Sequence, residues 1–166
     1  MAVRARSKLE IRRMRLDDLE EVMVIEKACF KHPWSTDLFR RELEHDWSTI
    51  LVMVEPLAPL ALPGKAATER VLGFIIFWLV HDEVHILNVA VAPEARRRGI
   101  ARTLMTEAEK RAYAANAALM TLEVRRSNTS ALDLYRQFDY RAVGVRPNYY
   151  VDEGEDAIVM VKELKK

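Results

Sequence analysis

The strongest structural signal in this chain is the segment NVAVAPEARRRGIAR, residues 88–102. It begins as a strand, continues through an arginine-rich turn, and enters a helix whose first turn contains Gly99. The N-terminus of a helix presents unpaired N–H groups and a partial positive charge, and both favour a phosphate. Gly99 allows close approach of the backbone, and the small Ala101 keeps the surface open. The segment therefore predicts a strand–turn–helix unit that binds an anionic group.

The two best-known phosphate-binding motifs do not describe this segment. No Gly-Lys-Ser/Thr follows, as a Walker A loop requires, and the three-glycine dinucleotide pattern is absent. The consecutive Arg96, Arg97 and Arg98 add long-range attraction for a polyphosphate. The whole chain has a formal net charge of only +1, unlike the strongly basic domains that bind nucleic acid. A small anionic ligand is therefore favoured over a nucleic acid.

Patterns on both sides of the segment predict a mixed α/β layered domain. Before it, the predicted elements are strand 9–14, helix 17–30, helix 36–44 with Ser35 as its N-cap, and strands 49–54, 71–80 and 83–91. After it, they are helix 99–115, strand 119–124, helix 128–138, and strands 140–145 and 157–163. His81 and Asp82 join two of the strands as a hairpin, and residues 56–70 form a loop. A length of 166 residues fits a single domain, residues 1–166.

The pattern Arg96-x-x-Gly99-x-Ala101, directly after a strand, resembles the Arg/Gln-x-x-Gly-x-Gly/Ala loop of the GNAT superfamily of N-acetyltransferases. The resemblance implies a mixed, mostly antiparallel central sheet of about six or seven strands flanked by about four helices. It also implies acetyl-CoA as the acetyl donor, with its pyrophosphate on the loop amides and its pantetheine arm paired with the backbone of residues 87–91. The residues that it assigns to acetyl-CoA are Val89, Val91, Arg96, Arg97, Arg98, Gly99, Ile100, Ala101, Arg102 and Asn128.

Five further motifs, in matching order, are similar to the RimI type of this superfamily. They are IE-x-x-CF with PWS at residues 25–35, LEVR-x-SN at 122–128, A-x-x-LY at 131–135, R-x-NYY at 146–150 and EDA at 155–157. This resemblance implies acetylation of the N-terminal alanine of a small-subunit ribosomal protein. The chain has Phe138-Asp139-Tyr140 where the type has Leu-Gly-Phe, and aspartate tolerates the left-handed conformation of such a glycine. The 56–70 loop is longer than usual for the type and bears on the approach of the acceptor.

Glu123 is our candidate general base and Tyr135 our candidate general acid. An α-amino group with a pKa of about 8 must lose a proton before it attacks, and a leaving thiolate gains from receiving one. Strand alternation predicts that Glu123 points away from Val124, and the alternative is a solvated carboxylate paired with Arg125. The resemblance places the hydroxyl of Tyr135 near the sulfur, and the alternative is an ordinary core tyrosine. It also implies that an N–H of residues 87–91 stabilises the oxyanion.

Three aromatic residues are candidates for binding the acceptor. Trp34, Tyr149 and Tyr150 would line its groove, because aromatic side chains give contact area at low entropic cost. For the two tyrosines, packing within the sheet is an equal alternative. Asn128 begins a predicted helix and is expected to cap it. The resemblance adds a hydrogen bond from Asn128 to the pantetheine arm.

The remaining chemistry-bearing residues predict no further centre. Cys29 lies on a helix with apolar neighbours, so a buried, inert thiol is preferred to a nucleophile. The four histidines lack metal-ligand spacing, so we expect no metal, and we place His81 and His85 at the surface. One cysteine allows no internal disulfide, and no stretch of the chain resembles a secretory signal or a membrane span. These features favour a cytoplasmic protein.

We therefore expect an acetyl-CoA-dependent enzyme that acetylates the α-amino group of a protein N-terminus. Its partners would be acetyl-CoA and a protein or peptide, with ribosomal protein favoured, and no nucleic acid or membrane. The chain would be a monomer or a weak dimer. Two alternatives stay open: an enzyme that acetylates lysine or a small-molecule amine, and a non-catalytic module that binds acetyl-CoA. Glu123 and Tyr135 together favour an enzyme, because a binding module needs only the phosphate loop.

Overall fold

The computed structural model describes residues 8–57 and 69–164. The helices and strands in chain order are β1 (Glu10–Arg13), α1 (Leu19–Cys29), α2 (Thr36–Glu44), β2 (Ser48–Pro56), β3 (Glu69–Val80), β4 (Glu83–Val91), α3 (Ile100–Ala114), β5 (Leu119–Arg125), α4 (Thr129–Gln137), β6 (Arg141–Tyr150) and β7 (Glu155–Glu163). Short 3-10 turns, Leu16–Asp18 and Pro93–Ala95, precede α1 and α3. The strands form one sheet in the order β1-β2-β3-β4-β5-β7-β6.

The sheet is mixed and mostly antiparallel, as predicted. β4 and β5 are parallel, with Glu83–Ile86 opposite Leu119–Leu122. The pairs β1–β2, β5–β7 and β6–β7 are antiparallel. The predicted fold class of a mixed sheet with four helices is therefore confirmed.

The described residues group into two compact units. The first, called here the N-terminal unit, contains residues 8–57, 69–76 and 88–105, and the second, the C-terminal unit, contains residues 77–87 and 106–164. The length of the chain predicts one domain, residues 1–166, and this stays a prediction. None of the helices in the described ranges combines the length and apolar character that are needed to cross a bilayer.

A glycine fixes the backbone around the strand–turn–helix segment of the N-terminal unit. A Cβ placed on Gly73 of β3 would lie 2.8 Å from the carbonyl oxygen of Ala90 and 3.1 Å from Cγ2 of Ile100. Both distances are tighter than ordinary carbon contacts, so a larger residue would displace β4 or α3. The N–H of Ala92 also donates to the carbonyl of Leu72 at 2.8 Å. β3 thus sets the position of the end of β4 and the start of α3.

The C-terminal unit is built on a strictly alternating strand. In β5, Met120, Leu122 and Val124 are buried, and the residues between them are partly exposed. Asn128 caps α4, because its side chain accepts a hydrogen bond from the N–H of Ala131 at 3.2 Å. Asp139, beyond the end of α4, has φ of 67°. The predicted cap and the predicted left-handed aspartate are both confirmed.

Several element boundaries differ from the prediction by two residues or more. β6 continues to Tyr150 rather than ending at 145, with an irregular register between Arg146 and Tyr150. Asn148 absorbs the irregularity, since it has φ of 50° and its N–H donates to the carboxylate of Asp156 at 3.0 Å. α1 starts at Leu19 rather than near 17, because a 3-10 turn precedes it. Of the predicted 56–70 loop, both ends belong to strands and residues 58–68 lie outside the described residues.

Candidate active site

The predicted phosphate loop is an open, positively charged turn in the N-terminal unit. Arg97 and Gly99 have φ of 64° and 73°, both in the left-handed region. A Cβ placed on Gly99 would meet no described atom within 4 Å, so the space beside its backbone is open. Ala95 and Ile100 are buried and anchor the turn from both ends. The geometry suits a ligand that approaches the N-terminus of α3.

The arginines of this loop are not equivalent. Arg98 donates to Glu55 Oε1 at 3.1 Å, so part of its charge is already neutralised. Arg96 places a guanidinium nitrogen 3.7 Å from Cys29 Sγ. Arg97 and Arg102 are exposed. Because Arg98 already has an acidic partner, an incoming polyphosphate would meet Arg97 more readily than Arg98.

Cys29 is half-buried, and the expectation of a buried thiol is wrong in this respect. It is the last residue of α1, and its Sγ donates to the carbonyl of Val91 at 3.3 Å. Val89 and Val91, assigned to the pantetheine arm, are also half-buried. The thiol is thus a hydrogen-bond donor at the end of β4.

Glu26 is a polar residue in the core that the sequence analysis did not select. It is only 1% exposed and accepts hydrogen bonds from the N–H of Trp34 at 3.3 Å and from Asn88 Nδ2 at 2.9 Å. Desolvation raises the pKa of Glu26 to about 7, although both hydrogen bonds oppose this shift. Two signals could have found it. Glu26 lies on the apolar face of α1, and Asn88 interrupts the buried row of β4 between Ile86 and Ala90.

Glu123 lies at the centre of a polar cluster in the C-terminal unit. Its side chain is 13% exposed, with Oε2 at 2.7 Å from His85 Nε2 and Oε1 at 3.4 Å from Arg146. Arg125 pairs instead with Glu155 at 3.4 Å, so the alternative pairing of Glu123 with Arg125 is wrong.

The prediction that His85 is a surface residue is wrong. Its side chain is 32% exposed and engaged with Glu123 rather than free at the surface. In the parallel register His85 lies opposite Thr121, which shares a strand face with Glu123. The pairing of His85 with Glu123 therefore depends on β4 and β5 being neighbours in the sheet. The residue pattern alone does not predict the order of the strands.

Tyr135 is buried in the C-terminal unit, with its ring centroid 5.9 Å from that of Tyr140. Burial raises the pKa of Tyr135 to about 12, so its hydroxyl keeps its proton at neutral pH. A protonated hydroxyl can donate but is a poor nucleophile. The environment is compatible with both interpretations given above, a general acid and a core tyrosine.

The candidate acceptor residues lie in both units. Tyr149 and Tyr150 are perpendicular, with centroids 5.1 Å apart, and Tyr149 is 48% exposed. The Arg125 guanidinium lies 3.9 Å from the centroid of the Tyr150 ring. In the N-terminal unit, Trp34 is half-buried, with its ring centroid 5.5 Å from that of Phe39.

Charged groups near these tyrosines are largely paired. Arg125 contacts Glu153 at 3.8 Å and Glu155 at 3.4 Å, and Arg126 contacts Asp156 at 3.4 Å. Within the described ranges no group of histidine, cysteine or acidic residues has the arrangement of a metal site.

Known proteins resemble this chain over most of its length. Residues 19–140 match the acetyltransferase (GNAT) family. A Bacillus subtilis protein named as a candidate ribosomal protein bS18-alanine N-acetyltransferase is 35% identical over 155 residues, 93% of this chain and 95% of that protein. The Escherichia coli K12 ribosomal protein bS18-alanine N-acetyltransferase is 33% identical over 149 residues, 86% of this chain and 89% of the relative. The crystal structure of the E. coli ribosomal-protein-S18-alanine N-acetyltransferase gives a TM-score of 0.80 at 27% identity and 96% coverage of both chains. The resemblance inferred from the motifs is confirmed.

Proposed function

Since this chain belongs to the acetyltransferase (GNAT) family of N-acetyltransferases, we propose that it transfers an acetyl group from acetyl-CoA to the α-amino group of a protein N-terminus. The proposed acceptor is the N-terminal alanine of a ribosomal protein, which is the substrate named for two of its relatives. The observation that carries the proposal is the arrangement of Glu123, a mostly buried carboxylate 2.7 Å from His85.

Glu123 is proposed as the base that removes the proton of the acceptor ammonium. His85 holds Oε2, which leaves Oε1 as the oxygen for the amine. Oε1 contacts Arg146, whose side chain is 57% exposed and can move away when the acceptor enters. The carboxylate is thus oriented at one oxygen and accessible at the other, as general base catalysis requires.

The proposed reaction is a direct attack of the amine on the thioester. The amine nitrogen bonds to the carbonyl carbon, and a backbone N–H of residues 87–91 stabilises the oxyanion. Collapse of this intermediate breaks the carbon–sulfur bond. Tyr135, whose hydroxyl is protonated at neutral pH, donates a proton to the leaving thiolate and regains one from the attacking nitrogen, which loses its second proton as the amide forms. The net proton released is the one that Glu123 took from the ammonium.

Acetyl-CoA binding is assigned to the 96–102 loop and to β4. The open space beside Gly99 would accept the pyrophosphate at the N-terminus of α3. Val89, Val91 and Asn128 would contact the pantetheine arm, and the backbone amides of Ile100 and Ala101 would join those of the loop at the pyrophosphate. No metal ion is needed for this chemistry.

Acceptor binding would rest on aromatic contacts from Trp34, Tyr149 and Tyr150 more than on charge. Glu153, Glu155 and Asp156 are already paired with arginines, so they attract a basic peptide less than their number suggests. We further infer a single functional domain, present in the cytoplasm as a monomer or weak dimer.

The test compares two peptides that differ only in which amine is available. One begins with Ala followed by a basic residue, and the other has the same sequence with a blocked N-terminus and a free lysine. We expect the first peptide to be acetylated at least about tenfold faster at its α-amine, as mass spectrometry of the products will locate. Faster labelling of the lysine would support the side-chain acceptor instead. Binding of acetyl-CoA without turnover on any amine would support the non-catalytic module.

A further inference from the structure

Glu26 is an almost fully enclosed carboxylate that the proposed reaction does not use. It lies in the C-terminal half of α1 and is 1% exposed. Asn88 Nδ2 lies 2.9 Å from one carboxylate oxygen and 3.3 Å from the other. The N–H of Trp34 lies 3.3 Å from Oε1. The carboxylate therefore holds two separate pieces of chain at once.

The hydrogen-bond donors to Glu26 are a backbone amide and a side-chain amide, both neutral. A carboxylate in such a place is costly to bury, and apolar residues of similar size would pack there at lower cost. Asn88 also interrupts a row of buried apolar side chains between Ile86 and Ala90. Stability alone gives no reason for the pair. The pair is explained if the backbone at Trp34 and the β4 strand at Asn88 must keep a fixed relative position, because these hydrogen bonds are directional.

The two pieces of chain that Glu26 holds have different assigned roles, and all three residues belong to the N-terminal unit. Trp34 is assigned to the acceptor. Asn88 directly precedes Val89–Val91, which are assigned to acetyl-CoA. We infer that Glu26 is a positioning residue that couples acceptor binding to acetyl-CoA binding by holding the backbone at Trp34 against the β4 strand at Asn88. This inference rests on the proposed function.

The experiment measures coupling directly in the full chain. Calorimetry gives the acceptor dissociation constant in the absence and presence of saturating CoA, and kinetics give kcat and KM. In the wild type we expect CoA to tighten acceptor binding by about fivefold or more, the usual lower range for coupled sites. In Glu26→Gln we expect this factor to fall to about one, with KM for the acceptor raised and kcat changed less than about threefold.

Two further variants separate positioning from a general loss of structure. Glu42→Gln changes another buried acid of the same unit, 6% exposed on α2, and should keep the wild-type coupling. The double variant Glu26→Gln/Asn88→Asp returns one carboxylate and one amide to the same contact and should restore most of it. Should Glu26→Gln fail to fold, Asn88→Ala removes the bridge from the other side and must lose the coupling as well.

Undiminished coupling in a folded Glu26→Gln or Asn88→Ala protein would overturn the inference. The inference would also be overturned if Glu42→Gln lost as much of the coupling as Glu26→Gln does. The proposed function is judged separately, by which amine the wild type acetylates. Coupling is then measured with whichever acceptor the wild type uses, so failure of one conclusion does not decide the other.

Discussion

Glu26 in the N-terminal unit and Glu123 in the C-terminal unit are both largely enclosed carboxylates, but their partners differ in kind. Glu26 is 1% exposed and receives hydrogen bonds from two neutral amides. The side chain of Glu123 is 13% exposed and contacts His85 and Arg146, one titratable and one cationic. A carboxylate among neutral donors is costly to ionise and serves to hold position, whereas one beside titratable groups can exchange protons with a ligand.

The largest expected difference between the two is in turnover. Glu123→Gln should lower kcat by about 10²–10⁴-fold at neutral pH, because the acceptor ammonium loses its proposed base. Partial recovery is expected at high pH, where free amine becomes available. Steady-state assays over a pH range will measure this, with acetyl-CoA affinity by calorimetry as the control for folding. An equal loss of kcat in Glu26→Gln would show that the two carboxylates do not differ in role.

The second largest effect is on the pH dependence of the stability of the fold, and we expect it to come from Glu26. Its pKa is raised from 4.5 to about 7 in the folded state, so the stability it contributes is present below about 4.5 and is lost as pH rises through about 7. The wild type should therefore lose up to about 3 kcal/mol from this group between pH 4.5 and 8 relative to Glu26→Gln, which stays neutral. Urea unfolding at several pH values measures the difference. If the stability of Glu26→Gln depended on pH as steeply as that of the wild type, the result would contradict this role of Glu26.

The smallest effect tests the partner of Glu123. His85→Ala should lower kcat by about tenfold, since the carboxylate loses the group that orients it. His85→Gln keeps an N–H donor and should recover most of the rate. His81→Asn is the matched control, because His81 is exposed and its φ of 54° suits asparagine. If His85→Ala had the kcat of the wild type, the 2.7 Å contact between His85 and Glu123 would have a structural role and no role in catalysis.

The sequence predicted single positions better than the pairs they form. Alternation in β5 correctly oriented Glu123, because that inference needs only neighbours along the strand. Its partner was missed because His85 lies on another strand, and the parallel register of β4 and β5 brings their faces together. Arg125, two residues after Glu123, instead pairs with Glu155 of the neighbouring strand β7.

Glu26 and Asn88 show the same limit over a greater separation. Each occupies a core-facing position in its own pattern, one helical and one alternating, yet 62 residues separate them. Local patterns assign a face to a residue but not a partner, since pairing depends on how the elements pack. The extension of β6 to Tyr150 was missed for a local reason. Asn148, with φ of 50°, provides an irregularity that lets the strand continue past Arg146, and the alternation of side chains does not show it.

The contact between Arg98 and Glu55 gives the predicted phosphate loop a counter-ion of its own. The two groups are 3.1 Å apart, with side chains 39% and 21% exposed. Dissolved salt already screens such an exposed pair, so adding salt weakens the pair along with any attraction between Arg98 and a polyphosphate. The two effects of salt on polyphosphate binding oppose each other. Weakening the contact with Glu55 makes Arg98 more available to the polyphosphate, whereas screening weakens the attraction between them. The loop should thus respond to ionic strength as if it carried fewer charges than its three consecutive arginines, which steadies its affinity when the salt content of the surroundings varies.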